Sequence, residues 1–259
     1  MSTDPVFQEI ESPALRMSYF AVPWDSEAFG FCVAQIARLE LGTGDPSADF
    51  AQFEQWCRQS TARLVSCRLP HDRLRESAWL ESRGFRFIEM VYRPRMELLQ
   101  ATPPAEAALE IAPITADDLV AVEAIAEVAF STSRFLLDPA LDRGLSGRRY
   151  RRWVRTSFAN PAHQVLKAEI GGAIVGFFVV EERSDRTAYW HLTAIAPAFQ
   201  NRGIGKALWR AMLSRHHQAG MRAVETTVSA HNTAVLNLYA QLGFRLHPGG
   251  MTLHRTDVR

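Results

Sequence analysis

The stretch Gln200-Asn201-Arg202-Gly203-Ile204-Gly205-Lys206-Ala207 decides the fold of this chain. It follows a strand-like run, Arg186 to Ala196, and opens an amphipathic helix to about Gly220 with Leu208, Met212 and Leu213 inward. Successive amides at a helix start form an anion cradle, and glycines let the backbone approach a phosphate closely. A pyrophosphate is therefore expected at this loop. A nucleotide-hydrolysing phosphate loop is disfavoured, because Ala207 after Lys206 leaves no hydroxyl for magnesium. A dinucleotide fingerprint fails too, since the third glycine is missing from its place.

Outward from this loop, the spacing predicts a strand, two helices, three strands, a helix, a strand, a helix and a strand from Glu110 to His254. The three strands, His163 to Ile170, Ala173 to Glu182 and Arg186 to Ala196, are closely spaced and predict an antiparallel meander. Thr115 with Asp118 resembles a capping box for a helix to Phe130. Residues 99–109, LQATPPAEAAL, interrupt the patterns on both sides and are read as a linker. Before them come two strands, a helix from Ser47 to Ser60, a strand from Arg63 to Leu69, a helix capped by Asp72 and stopped by Gly84, and a strand from Phe85 to Leu98. ESRGFRFIE (81–89) and AQLGFRLHP (240–248) echo each other: a helix tail, a Gly stop, then Phe-Arg entering a strand. The division expected is 1–98, 99–109 and 110–259.

Among 259 residues, 47% are hydrophobic and 22% charged, which excludes disordered and collagen-like classes. A net charge of +1 supplies no global field, so neither nucleic acid nor a membrane surface is expected as a partner. Cys32, Cys57 and Cys67 fit neither a disulfide framework nor a zinc site. No signal-like or membrane-spanning run is read, so a cytoplasmic protein is expected.

Gln200, Gly203 and Gly205 match the Q/R-x-x-G-x-G/A signature of the GNAT superfamily of acetyl-CoA-dependent N-acetyltransferases, which this chain resembles. SAHNTAVLNLYAQLGF is similar to that superfamily's Asn-x-x-A-x-x-x-Tyr-x-x-x-Gly-Phe stretch, with Asn232, Tyr239, Gly243 and Phe244 in register. The resemblance covers about Glu110 to His254. More narrowly, PWDSEAFGF (Trp24, Asp25, Phe29, Gly30) and STSRF (Ser131, Ser133, Arg134, Phe135) resemble bacterial dTDP-fucosamine acetyltransferases, in which a partial GNAT-like half precedes the complete one. In those relatives the first half supplies part of the acceptor pocket.

The fold implied is α/β (α+β), a mixed and mostly antiparallel sheet flanked by helices, with a partial N-terminal repeat. The activity implied is acetyl transfer from acetyl-CoA, as cosubstrate, to a primary amine of a small molecule, with a nucleotide-linked amino sugar as one acceptor. A peptide or protein amine acetyltransferase and a non-catalytic acyl-CoA-binding regulator are the alternatives. A second copy of the chain is allowed as a partner, and no metal is expected.

Acetyl-CoA is assigned to Thr193, Ala194, Ile195, Gln200, Arg202, Gly203, Ile204, Gly205, Lys206 and Asn232. By the same resemblance Tyr239 lies near the CoA sulfur, where a phenol can protonate a departing thiolate. Glu89 is the expected base, at the strand position where the relatives place a carboxylate facing the acceptor. His191 is its rival, sharing a strand face with Thr193 and Ile195 by period two. His216 and His217 point apart on their helix, so no metal pair is read there. The basic run Arg148 to Arg155 is read as a solvated amphipathic helix, with diphosphate recognition as the sharper option.

Overall fold

The computed structural model describes residues 5–98 and 109–256. The expected linker, 99–109, lies outside the described residues apart from Leu109. In chain order the strands and helices are β1 (Gln8–Glu11), β2 (Leu15–Ala21), α1 (Pro23–Phe29), β3 (Cys32–Leu41), α2 (Ser47–Gln59), β4 (Ala62–Pro70), α3 (Leu74–Ser82) and β5 (Arg86–Glu97). There follow β6 (Glu110–Pro113), α4 (Leu119–Ala129), α5 (Arg134–Leu137), α6 (Gly144–Ala159), β7 (His163–Ile170), β8 (Ala173–Glu182) and β9 (Thr187–Ile195). The last are α7 (Ile204–Gln218), β10 (Ala223–Thr226), β11 (Val228–Ser229), α8 (Thr233–Gln241) and β12 (Arg245–Thr256). Among the described residues, no helix is long and apolar enough to cross a membrane.

The chain folds as two compact units, and their limits differ from the division read in the sequence. One unit comprises the described residues of Met1–Val91, Arg134–Leu145 and Pro248–Arg259; the other comprises those of Tyr92–Ser133 and Ser146–His247. Strand pairing explains the difference. Gly250–Thr256 of β12 lie antiparallel to Pro70–Leu64 of β4, so the end of the chain completes the first unit. Conversely, Arg95–Glu97 of β5 lie antiparallel to Glu225–Ala223 of β10, in the second unit.

In the first unit, β1, β2 and β3 are antiparallel neighbours, β3 and β4 are parallel, and β12 follows β4. Parallel neighbours need a crossover, which α2 supplies. The period-two pattern of β4 splits its side chains as expected. Val65, Cys67 and Leu69 pack under Phe50, Phe53 and Cys57 of α2 and Leu80 of α3, whereas Leu64 joins Phe20, Val33, Phe29 and Phe135 on the other face.

The second unit contains the meander: β6, β7, β8 and β9 are successive antiparallel neighbours, and β10 lies parallel to β9 through the α7 crossover. Phe178, Trp190, Leu208, Trp209 and Met212 fill one face, and Val122, Val154, Phe177 and Val179 the other. The mixed, mostly antiparallel sheet flanked by helices is thus the architecture observed.

Local departures have local causes. Asp72 is not the cap of α3: that position is Arg73, which makes no side-chain cap bond. Thr115 donates from its backbone and its hydroxyl to Asp118 Oδ2, at 2.8 and 2.9 Å, but the helix starts only at Leu119. The strand expected from Arg222 to Ser229 is interrupted at Thr227. β1, α1 and α5 are short elements the sequence reading did not contain.

The echo between the halves is geometric. Gly84 has φ +83° and Gly243 φ +88°. Phe85 N–H donates to Leu80 O as Phe244 N–H does to Tyr239 O, and Gly84 N–H to Glu81 O as Gly243 N–H does to Ala240 O. Both are left-handed helix stops of the same form.

Candidate active site

The site is built by two irregularities of β9. Along the β8–β9 ladder, Val180 pairs with Trp190 and Val179 with Leu192, leaving His191 as an extra residue in a bulge. On the opposite edge, β9 pairs with β10 from Thr187–Ala223 to Trp190–Thr226 and no further, although β9 continues to Ile195. A bulge bends and twists a strand, so the two strands part just past it.

The bulge also exchanges the faces of β9. Ala188 and Trp190 pack in the core that holds Tyr239, and Ile195 packs against that core again, while Leu192 and Ala194 pack in the opposite one with Val122 and Val154. Period two therefore fails at His191, and the shared face expected with Thr193 and Ile195 is corrected. The His191 ring lies beside His163 and Tyr189, with centroids 4.7 and 4.8 Å away, and edge-on to Trp153. Its Nε2 is 2.8 Å from Glu181 Oε2. His163 Nδ1 is 3.1 Å from Ser157 Oγ, and burial, then the neighbouring His191, pushes the His163 imidazole down from its ordinary value.

Past Ile195 the chain turns into α7 through Asn201 at φ +59° and Gly203 at φ +75°, the latter at the helix N-cap without a side-chain cap bond. The first-turn amides of Ile204, Gly205 and Lys206 consequently have no intrahelical acceptor. A Cβ on Gly203 would meet nothing within 4 Å, so its left-handed backbone, rather than crowding, requires glycine. Gly205 answers a different demand, since a Cβ there would lie 3.2 Å from Ile195 Cδ1.

Several assigned residues do structural duty with their side chains. Gln200 Nε2 donates to Ile195 O at 3.0 Å, tying the loop to the strand end. Ala194 is buried in the core, leaving only its backbone for a ligand. Asn232 caps α8, its Oδ1 accepting from Val235 N at 3.2 Å. Arg202, its guanidinium over the Phe199 ring, and Lys206 are exposed beside the loop.

Tyr239 is 1% exposed, within the core of Trp190 and Phe244. Burial raises its phenol above the ordinary value, tempered by the neighbouring Trp209, Thr193 and Thr226 side chains. The hydroxyl is thus held protonated at the level where β9 and β10 part.

Glu89 lies in the first unit on β5, 4% exposed. Its Oε1 accepts from Thr252 Oγ1 at 3.5 Å and lies 3.7 Å from Arg68 Nη2. The last two residues of STSRF meet PWDSEAFGF in the same unit: Arg134 lies 3.7 Å from Asp25, and Phe135 packs edge-on to Phe29 at 5.0 Å. Phe135 also stacks on His254, whose Nδ1 is 2.9 Å from Asp138 Oδ2. This buried pair is not anticipated in the sequence, where its two members lie far apart. Of the basic run on α6, Arg155 and Arg151 are turned to the buried carboxylate of Glu123, with Arg155 Nε 2.6 Å from it. His216 accepts from Trp190 Nε1 at 2.9 Å.

Comparison with known proteins matches residues 130–244 to the Acetyltransferase (GNAT) family. The spore coat polysaccharide biosynthesis protein SpsD of Bacillus subtilis is 26% identical over 143 residues, 55% of this chain and 48% of that protein. L-2,4-diaminobutyric acid acetyltransferase of Nocardia farcinica is 35% identical over 81 residues, 30% of this chain and 42% of the relative. The chain thus spans about half the length of these curated relatives. In fold, a GCN5-related N-acetyltransferase from Sphaerobacter thermophilus superposes with a TM-score of 0.68 at 17% identity, over 94% of this chain and 77% of that one. The strand parting and the glycine loop thus both lie inside the segment that matches the acetyltransferase (GNAT) family, within a chain whose fold is GNAT-like.

Proposed function

We propose that the protein transfers an acetyl group from acetyl-CoA to a primary amine of a small molecule. One observation carries this reading: β9 outruns its parallel pairing with β10 and delivers the chain to the Gly203 turn, so an unpaired strand edge and an anion cradle lie in series. The edge, Thr193 to Ile195, suits the amides of a pantetheine arm, and the amides of Ile204 to Lys206 suit its pyrophosphate.

In the reaction the amine nitrogen attacks the thioester carbonyl carbon, and the carbon–sulfur bond breaks. His191, donating Nε2–H to Glu181, accepts the amine proton at Nδ1, and Tyr239 gives its phenolic proton to the departing thiolate. Glu89 remains a second reading for the base, favoured by the burial of its carboxylate. The acceptor we favour is an amino sugar, including a nucleotide-linked one; the relative in spore coat polysaccharide biosynthesis and the dTDP-fucosamine-like motifs of the first unit support it.

The test is a thiol-release assay over amino sugars, diamines, amino acids and peptides, alongside calorimetric titration with acetyl-CoA. Turnover of a small amine with one cosubstrate bound per chain is the expected result. Turnover of peptides alone would move the protein to the peptide class, and binding without release of thiol from any amine would make it a regulator.

A further inference from the structure

Three ligand-bearing side chains of the second unit converge beside the bulge. His163, Glu181 and His191 each place one donor atom within 4.8 Å of the other two, and all three are half-buried. They come from three adjacent strands: the start of β7, the end of β8 and the bulge in the middle of β9. We propose that they form a binding site for a borderline divalent transition ion, zinc foremost, whose occupancy silences His191.

The chemistry of the set supports an ion of this kind. Two imidazoles and one carboxylate are a zinc-type donor set that leaves a fourth position for water. Magnesium and calcium, which take oxygen ligands, would find only one here. His163 already has the support that metal-bound histidines require. Its Nδ1 is held by the hydroxyl of Ser157, which is 1% exposed, and Nε2 is left for the ion. Between His191 Nε2 and Glu181 Oε2, 2.8 Å apart, the ion replaces the shared proton. Bringing His163 into coordination, with donors about 2 Å from the ion, takes a side-chain adjustment of about an ångström.

Silencing follows from the tautomer. In the metal-free protein Nε2 carries the proton and Nδ1 is the acceptor. An ion on Nε2 moves that proton to Nδ1, so the nitrogen that would take the amine proton already has one. No charge on the imidazole need change. This consequence rests on the proposed acetyl transfer; the ion site itself does not.

The full-length protein is titrated with Co2+, followed by visible absorption, and the bound ion is then displaced with Zn2+. A saturable tetrahedral-type spectrum is expected, with affinity falling at least tenfold in His163→Gln, about tenfold in Ser157→Ala, and not at all in His217→Gln. No saturable spectrum up to millimolar Co2+, or equal affinity in His163→Gln, overturns the site. Imidazole NMR of the wild-type protein needs no variant. Of the eight histidines, only the signals of His163 and His191 should respond at one equivalent of Zn2+, and a response elsewhere overturns the assignment. Inhibition of thiol release should follow the same Zn2+ concentration as binding. Binding without inhibition overturns the silencing while leaving the ion site, and absent acetyl transfer would be seen in the metal-free assay alone.

Discussion

The crossovers β3–α2–β4 and β9–α7–β10 have the same topology and the same defect, yet only one opens its helix on a left-handed glycine N-cap. In the first unit Tyr19 pairs with Ile36 and Ser18 with Arg38, so Ala37 is the extra residue, as His191 is in the second. Pairing of β3 with β4 ends at Ile36–Cys67 although β3 runs to Leu41, as pairing of β9 with β10 ends at Trp190–Thr226. The difference lies in what fills the parting. In the first unit Arg75 donates to Leu41 O and Gly42 O at 3.3 and 2.9 Å, and Leu41 N–H donates to Glu76 at 3.4 Å. Matching the helix stops at Leu80 and Tyr239 puts Ala234 and Val235 where Arg75 and Glu76 stand. Two short side chains keep the strand edge clear, and a longer loop replaces Gly42–Pro46. An open strand edge is thus a property of a few side chains on a shared frame.

The largest effect is expected where the equivalent residues differ in chemistry. Tyr239→Phe should lower turnover by ~10²–10⁴-fold with little change in acetyl-CoA affinity, because the ring still packs and only the proton donor is lost. Its counterpart Leu80→Ala should cost about 2–5 kcal/mol of stability and leave cosubstrate affinity alone. Wild-type turnover of Tyr239→Phe, with chemistry rate-limiting, would make Tyr239 as structural as Leu80.

Next comes the base, which we propose to be His191 at the bulge. His191→Asn should reduce kcat/KM for the amine by ~10²-fold, partly restored at higher pH where more amine is unprotonated, with acetyl-CoA affinity within about twofold. Glu89→Gln should leave that profile intact. The reverse pattern would return proton transfer to the first unit.

Each unit also buries one neutral histidine, His254 in the first and His216 in the second, both pushed down to about 4 by burial. A histidine whose folded value lies below its unfolded ~6.5 contributes stability in full above that pH and loses it as pH falls toward about 4. Unfolding free energy from urea titrations should therefore drop between pH 6.5 and 4, by about 3 kcal/mol at most for each residue. Constant stability over that window would mean that neither imidazole is buried in solution.

The smallest effect tests the loop. Gly203→Val should weaken acetyl-CoA binding at least tenfold, about 1.4 kcal/mol, by forcing the left-handed N-cap to rearrange. Gly44→Val, at φ +101° in the equivalent connection of the first unit, should strain the backbone similarly without touching affinity. Equal calorimetric constants for Gly203→Val and wild type would remove the loop from the binding surface.

Most of the frame was legible because it is written in local periodicity: the meander, the two crossovers, and both Gly-Phe stops. So was the glycine turn that opens α7, whose glycines and position after a strand carry the signal. What escaped was non-local or too short. α1 is seven residues with Pro23 at its start and reads as loop. The face of His191 could not be read, because a bulge is set by the partner strand and breaks the period that predicts faces. The limits of the units were hidden because no local pattern says that β12 pairs with β4. The pair of His254 and Asp138 likewise joins residues distant in the chain, through a side-chain hydrogen bond that no local pattern announces.

The placement of β12 bears on how the protein is made. During vectorial synthesis β4 emerges well before β12, its antiparallel partner, which follows the residues of the second unit in the chain. Until then the first unit must wait with an exposed strand edge, the kind of edge that pairs promiscuously with other chains. Nascent chains stalled before Pro248 should accordingly be clients of holding chaperones, and the first unit should acquire protease resistance only after the second has been translated.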